Sequence, residues 1–333
     1  MTIRLGINGF GRIGRCVLRS LLESGRNDVA VVAINDLAPA ETNAHLLKYD
    51  SIHGRFDADI RVDGDVLHVN SRSIAMSAER DPASLAWDDV DVALECTGLF
   101  TRRDAAARHL KNGSKKVLVS APSDGADKTV VFGVNHKELT AHDRIVSNAS
   151  CTTNCLSPLA KVLDDVIGIE TGYMTTVHSY TGDQPSLDTA HTDLYRARAA
   201  SLSMIPTSTG AARVVGDVLP QLRGRLDGSA IRVPTPNVSM VDFCFMPRRH
   251  AAVDDIHDAI RTAVNGDMKG VLGMTEEPLV STDFNHDTRS SIFAMDQTRR
   301  TGGGMFRVVS WYDNEWGFSN RMLDTANAMG RLS

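Results

Sequence analysis

The chain has 333 residues, of which 42% are hydrophobic, and its formal net charge at pH 7 is −5. This length accommodates two domains of ordinary size with substantial apolar cores. Basic residues are spread along the chain, which excludes an extended surface for nucleic acid or for an anionic membrane. We therefore expect the partners to be small molecules or further copies of the chain.

The chain begins with a predicted strand, without the apolar core of a signal peptide, and no apolar stretch approaches the length of a membrane-spanning helix. Its five cysteines are an odd number at scattered positions, which does not make a disulfide framework. These features predict a cytoplasmic protein whose thiols are free.

The first segment has the pattern of a dinucleotide-binding unit. A buried strand, Ile3–Asn8, is followed by glycines in the spacing G-x-G-x-x-G, by a helical apolar pattern and by a second apolar strand. Gly9 allows the tight turn, Gly11 lets a pyrophosphate approach the backbone, and Gly14 lets the helix pack on the strand. Asp36 follows the second strand, where a carboxylate accepts hydrogen bonds from a ribose and repels a 2′-phosphate. The pattern therefore predicts NAD rather than NADP.

Further apolar runs predict buried strands at 90–96, 116–120, 130–133 and 144–147. Together with the first two strands they favour a mostly parallel Rossmann sheet, in a cofactor domain of residues 1–150. Ser120 stands at the carboxyl end of one such strand, where open α/β sheets bind ligands.

A cysteine lies where the next helix is predicted to begin. The segment 147–155 places Cys151 among small hydroxyl and amide side chains, and apolar residues at helical spacing follow it. A helix N-terminus favours a thiolate and offers free N–H groups to an oxyanion. A free cysteine is more often a small buried apolar residue, and Cys155, one turn later, fits that description. The polar neighbours of Cys151 favour a nucleophile, and no second cysteine or histidine pair supports a metal site.

From residue 151 onward the predicted strands alternate in polarity, as at 241–245, which indicates a largely antiparallel sheet with one covered face. The helix at 253–264 would cover it, in an α+β catalytic domain of residues 151–316. A strand at 173–178 ends in His178, a candidate base whose imidazolium would stabilise the Cys151 thiolate. Anion-binding candidates are Arg196, the turn at 206–210, and Arg232, which lies in an apolar run.

Four segments, 7–15, 147–155, 232–239 and 311–317, resemble phosphorylating glyceraldehyde-3-phosphate dehydrogenase, and the similarity covers essentially the whole chain. The resemblance implies that Cys151 adds to the aldehyde of glyceraldehyde 3-phosphate with help from His178. Hydride would then pass to NAD, and inorganic phosphate would cleave the thioester to release 1,3-bisphosphoglycerate. It also implies a homotetramer with interfaces at 181–203, and a C-terminal helix within 317–333 that packs on the first domain.

The resemblance also assigns binding residues. Those expected to contact NAD are Gly9, Gly11, Arg12, Ile13, Gly14, Asp36, Arg80, Ser120 and Asn314. Those expected to contact the substrate phosphate are Thr181 and Arg232, with Arg196 between the two anion sites. Those expected to contact the attacking phosphate are Ser150, Thr152, Thr209 and Gly210.

Three alternatives differ from this interpretation. Erythrose-4-phosphate dehydrogenase is a relative that passes its thioester to water, but the segments 178–181 and 207–210 resemble the phosphorylating enzyme. A nucleotide-sensing Rossmann protein without catalysis would leave Cys151 and His178 unexplained. A cysteine hydrolase would leave the glycine pattern and Asp36 unexplained.

Overall fold

The chain divides into two compact units in a computed structural model that describes residues 2–332. The first unit comprises Met1–Val130, His136–Ala149 and Ser319–Ser333, and the second comprises Val131–Asn135 and Ser150–Phe318. Met1 and Ser333, the outer ends of the predicted ranges 1–150 and 317–333, lie outside the described residues. Across residues 2–332, no helix has both the length and the apolar character that a membrane crossing requires.

The first unit is built on β-strands with three helices between them. Its strands are β1 (Ile3–Asn8), β2 (Val29–Asn35), β3 (Tyr49–Asp50), β4 (Gly54–Arg55), β5 (Ile60–Asp63), β6 (Val66–Val69), β7 (Arg72–Ser77), β8 (Val92–Glu95), β9 (Lys116–Val119), β10 (Lys128–Thr129) and β11 (Ile145–Ser147). Its helices are α1 (Arg12–Glu23), α2 (Ala40–Lys48) and the single turn α3 (Arg103–Ala106).

Nine of these strands form one sheet in the order β10-β11-β9-β8-β1-β2-β7-β6-β5. Every neighbouring pair from β10 to β7 is parallel, and only β5, β6 and β7 pair in antiparallel fashion. The central strands β8 and β9 are buried along their whole length, as parallel strands covered on both faces are. The predicted, mostly parallel sheet is confirmed.

The predicted strand at 130–133 is wrong. The strand β10 lies two residues earlier, and the chain then turns instead of continuing. The Val131 carbonyl oxygen accepts from the backbone N–H groups of Val134 and Asn135 at 3.0 and 3.2 Å, and the Asn135 side chain accepts from the Val131 N–H at 2.9 Å. Apolar composition alone did not distinguish this buried turn from a buried strand.

The second unit has its own sheet and helices. Its strands are β12 (Ile169–Ser179), β13 (Ile205–Ser208), β14 (Leu226–Val233), β15 (Ser239–Pro247), β16 (Leu272–Thr275), β17 (Ser291–Ala294), β18 (Arg299–Arg300) and β19 (Phe306–Tyr312). Its helices are α4 (Cys151–Ile167), α5 (Ala211–Val218) and α6 (Val253–Asn265).

The sheet of the second unit has the order β13-β14-β12-β15-β19-β17-β16, with β18 beside β19. Only β12 with β14 and β16 with β17 are parallel, so the sheet is largely antiparallel as predicted. Along β15, Val241, Phe243 and Phe245 face inward and join one core cluster with apolar residues of α4, α5 and α6. The helices therefore cover one face of the sheet, and this packing positions the start of α4 relative to β12.

The last helix is α7 (Trp316–Gly330), and its residues from Ser319 onward group with the first unit. There the Lys116 ammonium donates to the Met329 carbonyl oxygen at 2.9 Å, and Arg26 pairs with Asp324 at 2.6 Å. These contacts are made within the first unit.

Candidate active site

Cys151 is the first residue of α4, and Ser150 caps the helix. The Ser150 hydroxyl oxygen accepts a hydrogen bond from the Thr153 N–H at 3.1 Å, as an N-cap residue does. Cys151 is half-buried, and its Sγ atom lies 3.5 Å from Nε2 of His178. A thiol and an imidazole at this distance are placed to exchange a proton.

His178 is held by the end of β12 and by its neighbour β14. The parallel register places His178 opposite Arg232. Nδ1 of His178 lies 2.7 Å from the Ser179 carbonyl oxygen and 2.7 Å from Nη1 of Arg232, which donates to the same carbonyl at 2.9 Å. When Nδ1 carries the proton and donates it to Ser179, Nε2 faces the sulfur as an acceptor. When Nδ1 instead accepts from Arg232, which can only donate, the proton is on Nε2.

Tyr312, which is 1% exposed, joins the elements that carry the cysteine and the histidine. Its hydroxyl lies 2.9 Å from the hydroxyl of Thr152 in α4 and 2.8 Å from that of Thr176 in β12. Its ring also meets the His178 ring edge to face, with 5.9 Å between centroids. The start of α4 is thereby fixed against β12.

The charges at this pair differ from the sequence-based expectation. Burial raises the pKa of the Cys151 thiol, and the Arg232 charge and hydrogen bonds from Thr152 only partly offset it. Burial, and next the Arg232 charge, lower the pKa of His178 to about 3. At neutral pH the ring is uncharged, so the predicted imidazolium is absent. The positive charge beside the sulfur belongs to Arg232.

A group of charged side chains surrounds Thr181, in the loop after His178. The Thr181 hydroxyl donates to Asp183, and the Asp183 carboxylate lies 3.6 Å from Nη1 of Arg196. Burial alone would raise the pKa of Asp183, but the hydrogen bond from Thr181 and the charges of Arg232 and Arg196 lower it. The structure therefore brings Thr181 and Arg196 together through Asp183, and Arg232 lies near enough for its charge to act on that carboxylate.

A second polar group forms where α4 and α5 begin. The Thr153 hydroxyl donates to the Ala211 carbonyl oxygen at 3.2 Å and lies 2.8 Å from the Ser150 hydroxyl. Gly210 precedes α5 without a side-chain cap, and the Thr209 hydroxyl oxygen accepts from the Ala211 N–H at 3.1 Å. The predicted anion residues Ser150, Thr209 and Gly210 thus converge, whereas the hydroxyl of Thr152 is directed at Tyr312.

The glycine turn of the first unit has the shape that a dinucleotide requires. Gly9 has φ +91°, and a Cβ on Gly14 would lie 2.3 Å from the Gly9 carbonyl oxygen. A Cβ on Gly11 would meet nothing within 4 Å, so space is open above that backbone. Gly11 also precedes α1 without a side-chain cap, which leaves the first N–H groups of the helix to a phosphate.

Other predicted cofactor residues of the first unit lie around this turn. The Asp36 carboxylate accepts from the Phe10 N–H at 2.7 Å and the Ala38 N–H at 2.9 Å, which aims it beside the glycine turn. Arg12 pairs with Asp50 at 2.5 Å. The remaining predicted residues in the described chain are partly buried Ile13, partly buried Ser120 and exposed Arg80. The residues present therefore fit NAD, whose pyrophosphate and ribose these groups would hold.

Asn314 lies in the second unit and contacts Ser179, the residue after His178. Its side-chain oxygen accepts from the hydroxyls of Ser179 and Ser239 at 2.9 and 3.0 Å. The adjacent Asp313 is 1% exposed and accepts from the Trp316 N–H at 2.7 Å, so it holds this segment in place.

Comparison with known proteins identifies the relationship. Residues 3–103 match the family described as "Glyceraldehyde 3-phosphate dehydrogenase, NAD binding domain", and residues 150–314 match its "C-terminal domain". The chain belongs to the glyceraldehyde-3-phosphate dehydrogenase family. It is 66% identical to a glyceraldehyde-3-phosphate dehydrogenase of Cereibacter sphaeroides and 61% identical to one of Xanthobacter flavus, with 100% of both chains covered in each comparison. A glyceraldehyde-3-phosphate dehydrogenase 1 of Bacillus subtilis is 53% identical, over 98% of each chain.

Asp183, Tyr312 and Asp313 are among the residues in or beside the site that were not singled out from the sequence. Tyr312 and Asp313 lie in the segment 311–317, which was one of the four that carried the resemblance. Asp183 follows His178 in the same loop. Their roles depend on the pairing of β12 with β14 and β15, and of β15 with β19, which local sequence does not reveal.

Arg232→Ala removes the charge that opposes the effect of burial on Cys151, so the pKa of the thiol should rise further. Because only the thiolate is alkylated, the pH midpoint of iodoacetamide alkylation should move upward. Arg213→Ala is the matched control, since this exposed arginine pairs with Asp227 of the same strand as Arg232. An unchanged or lower midpoint in the Arg232 variant would contradict the assigned electrostatics.

Proposed function

We propose that the protein is a phosphorylating, NAD-dependent glyceraldehyde-3-phosphate dehydrogenase. It converts glyceraldehyde 3-phosphate and inorganic phosphate to 1,3-bisphosphoglycerate. The observation that carries the proposal is the 3.5 Å contact between Cys151 Sγ and His178 Nε2, at a helix start that has an anion-binding group on either side.

The first step joins the substrate to Cys151. Sγ forms a bond to the aldehyde carbon while its proton passes to Nε2 of His178. His178 then gives this proton to the aldehyde oxygen, which becomes the hydroxyl of a hemithioacetal. The N–H groups at the start of α4 stabilise negative charge on sulfur and oxygen during this step. Thr181 and Arg232 hold the substrate phosphate, with Arg196 between this site and that of the second phosphate.

His178 then takes the hydroxyl proton of the hemithioacetal as hydride leaves the same carbon, and a thioester on Cys151 remains. Bound NAD supplies the hydride acceptor. Burial lowers the pKa of His178, and the Arg232 charge lowers it further, so Arg232 links substrate binding to this step. A substrate phosphate on Arg232 would offset that charge and make the imidazole a stronger base.

The last step uses a phosphate held by Ser150, Thr209, Gly210 and the backbone of Thr152. An oxygen of this phosphate attacks the thioester carbon, the carbon–sulfur bond breaks, and Cys151 is released as the thiolate. The product is an acyl phosphate. A sulfur leaving group makes this possible, since a thioester retains enough free energy to form an acyl phosphate.

We further propose that residues 1–150 are the cofactor domain and 151–316 the catalytic domain, with the helix of 317–333 returning to the first. The residues proposed to hold NAD are Gly9, Gly11, Arg12, Ile13, Gly14, Asp36, Arg80, Ser120 and Asn314. The Asp36 carboxylate favours NAD over NADP by charge repulsion. Since the nucleophile must stay a reduced thiol, we propose a cytoplasmic location.

Stopped-flow measurement of NADH tests the reaction. With aldehyde and NAD but no phosphate, we expect one burst of NADH equal to the active sites, and continued turnover only after phosphate is added. Cys151→Ser should abolish the burst, because a serine hydroxyl is a far weaker nucleophile near neutral pH.

Cys155→Ala is the matched control for this variant. Cys155 lies one turn later, is fully buried, and has its sulfur 3.5 Å from the Ser291 hydroxyl, so its loss should affect stability and leave the burst. Steady turnover without phosphate would contradict the proposed acceptor and favour hydrolysis by water, as in erythrose-4-phosphate dehydrogenase. A burst that survived Cys151→Ser would contradict the assigned nucleophile.

We propose a homotetramer, supported by a segment of the second unit that exposes large apolar side chains. Between residues 187 and 204 the exposed fractions are 73% for Leu187, 81% for Leu194, 63% for Tyr195, 77% for Leu202 and 76% for Met204. Monomeric proteins rarely leave such a concentration of apolar side chains in water, so other copies of the chain would cover it.

Light scattering of the purified protein tests this state. We expect the mass of four chains, and Leu194→Asp with Leu202→Asp should lower it, because charge in an apolar interface is strongly unfavourable. The same substitution at Val280, which is 60% exposed and outside this segment, is the control. A wild-type mass of one chain would contradict the proposal.

A further inference from the structure

A network of buried polar side chains runs across the carboxyl ends of four adjacent strands in the first unit. The strands β8, β1, β2 and β7 are neighbours in this order, and each pair is parallel. Glu95, Asn8, Asn35 and Ser77 are their last residues. The first three are 1%, 2% and 3% exposed. The proposed chemistry uses none of them.

Glu95 is the centre of the network. One carboxylate oxygen accepts from the Asn8 amide at 2.7 Å and lies 2.9 Å from Nε2 of His109. The other accepts from the Thr97 N–H at 2.9 Å and from the Thr97 hydroxyl. Four hydrogen-bond donors thus surround the two oxygens of Glu95, and a carboxylate can only accept hydrogen bonds. An N–H group in place of either oxygen would face other donors.

His109 is fixed as one of these donors. The Asn112 side-chain oxygen accepts from the N–H and hydroxyl of Ser114 at 3.0 and 2.7 Å, so its amide nitrogen is the end that faces Nδ1 of His109, at 3.4 Å. Nδ1 therefore accepts, and Nε2 carries the proton toward Glu95. The His109 ring is fully buried and stacks on Trp87, with 5.7 Å between centroids.

The network reaches the loops that follow these strands. The Asn8 side-chain oxygen accepts from Asn35 at 2.8 Å, and Asn35 exchanges two hydrogen bonds of 2.8 Å with the backbone of Glu79, the residue before Arg80. Gly9 is in backbone contact with Thr97, since a Cβ on Gly9 would lie 2.7 Å from the Thr97 nitrogen. Movement of Thr97 would therefore displace the glycine turn.

We propose that Glu95 is a positioning residue for the cofactor. Through Thr97, Asn8 and Asn35 it fixes the glycine turn and the loop before Arg80 in one arrangement before NAD binds. This inference rests on the proposed function, which assigns NAD to this edge of the sheet. Its effect falls on NAD affinity and leaves the reactivity of Cys151, in the other unit, unchanged.

The test is calorimetric titration of the protein with NAD. Glu95→Gln places an amide NH₂ against donors, and we expect the dissociation constant to rise about tenfold. Asn8→Asp combined with Glu95→Gln restores the match, because the new carboxylate accepts from the new amide and still accepts from Asn35. His109 still donates toward the new amide, so this double variant should recover most of the loss and return to within about threefold of wild type. Glu41→Gln, on an exposed face of the same unit, is the control.

Two further readouts separate positioning from general destabilisation. The first is the thermal unfolding temperature. The second is the rate of alkylation of Cys151 by iodoacetamide, and this rate should match wild type in every variant. The proposal is overturned if Glu95→Gln binds NAD as tightly as wild type. It is also overturned if the double variant regains its unfolding temperature without regaining NAD affinity, since Glu95 would then be structural only. A wild-type protein that failed to bind NAD would instead contradict the proposed function.

Discussion

The position of Cys151 relative to His178 depends on the hydrogen bonds of the Tyr312 hydroxyl. This hydroxyl lies within hydrogen-bond distance of Thr152, next to the nucleophile, and of Thr176, two residues before the base. Cys151 and His178 are 27 residues apart in the chain and on different elements, so their 3.5 Å separation needs a fixed relation between α4 and β12. A buried hydroxyl with two partners supplies this relation, because a shift of either element would leave it unsatisfied.

Burial determines the charges at this pair. It raises the pKa of Cys151 and lowers that of His178, so both groups are neutral at rest. A neutral thiol beside a neutral imidazole is protected from chance oxidation, since the thiolate is the reactive form. In the proposed mechanism the proton moves when an anion reaches Arg232 and an electrophile reaches the sulfur. Reactivity would thus follow substrate binding, which suits an enzyme whose intermediate must not meet water before phosphate.

Much of this arrangement was predictable, because the decisive signals are local in sequence. The glycine spacing and Asp36 predict the cofactor unit, the polar residues around Cys151 predict a helix start, and alternation at 241–245 predicts the antiparallel sheet. The wrong predictions concern features that the local sequence pattern does not determine. The apolar run at 130–133 is a turn closed by Asn135, and the charge of His178 depends on Arg232, which strand register places beside it. The network around Glu95 joins β8 to three other strands and has no local signature at all.

The central claim is that Cys151 carries the substrate as a thioester that phosphate cleaves. Mass spectrometry of the protein mixed with glyceraldehyde 3-phosphate and NAD, quenched in acid and digested, tests this claim directly. The peptide containing Cys151 should gain the mass of the acyl group, and brief exposure to phosphate before quenching should remove it. An acyl group on another residue, or one on Cys151 that persists in phosphate, would show that phosphate does not cleave a Cys151 thioester.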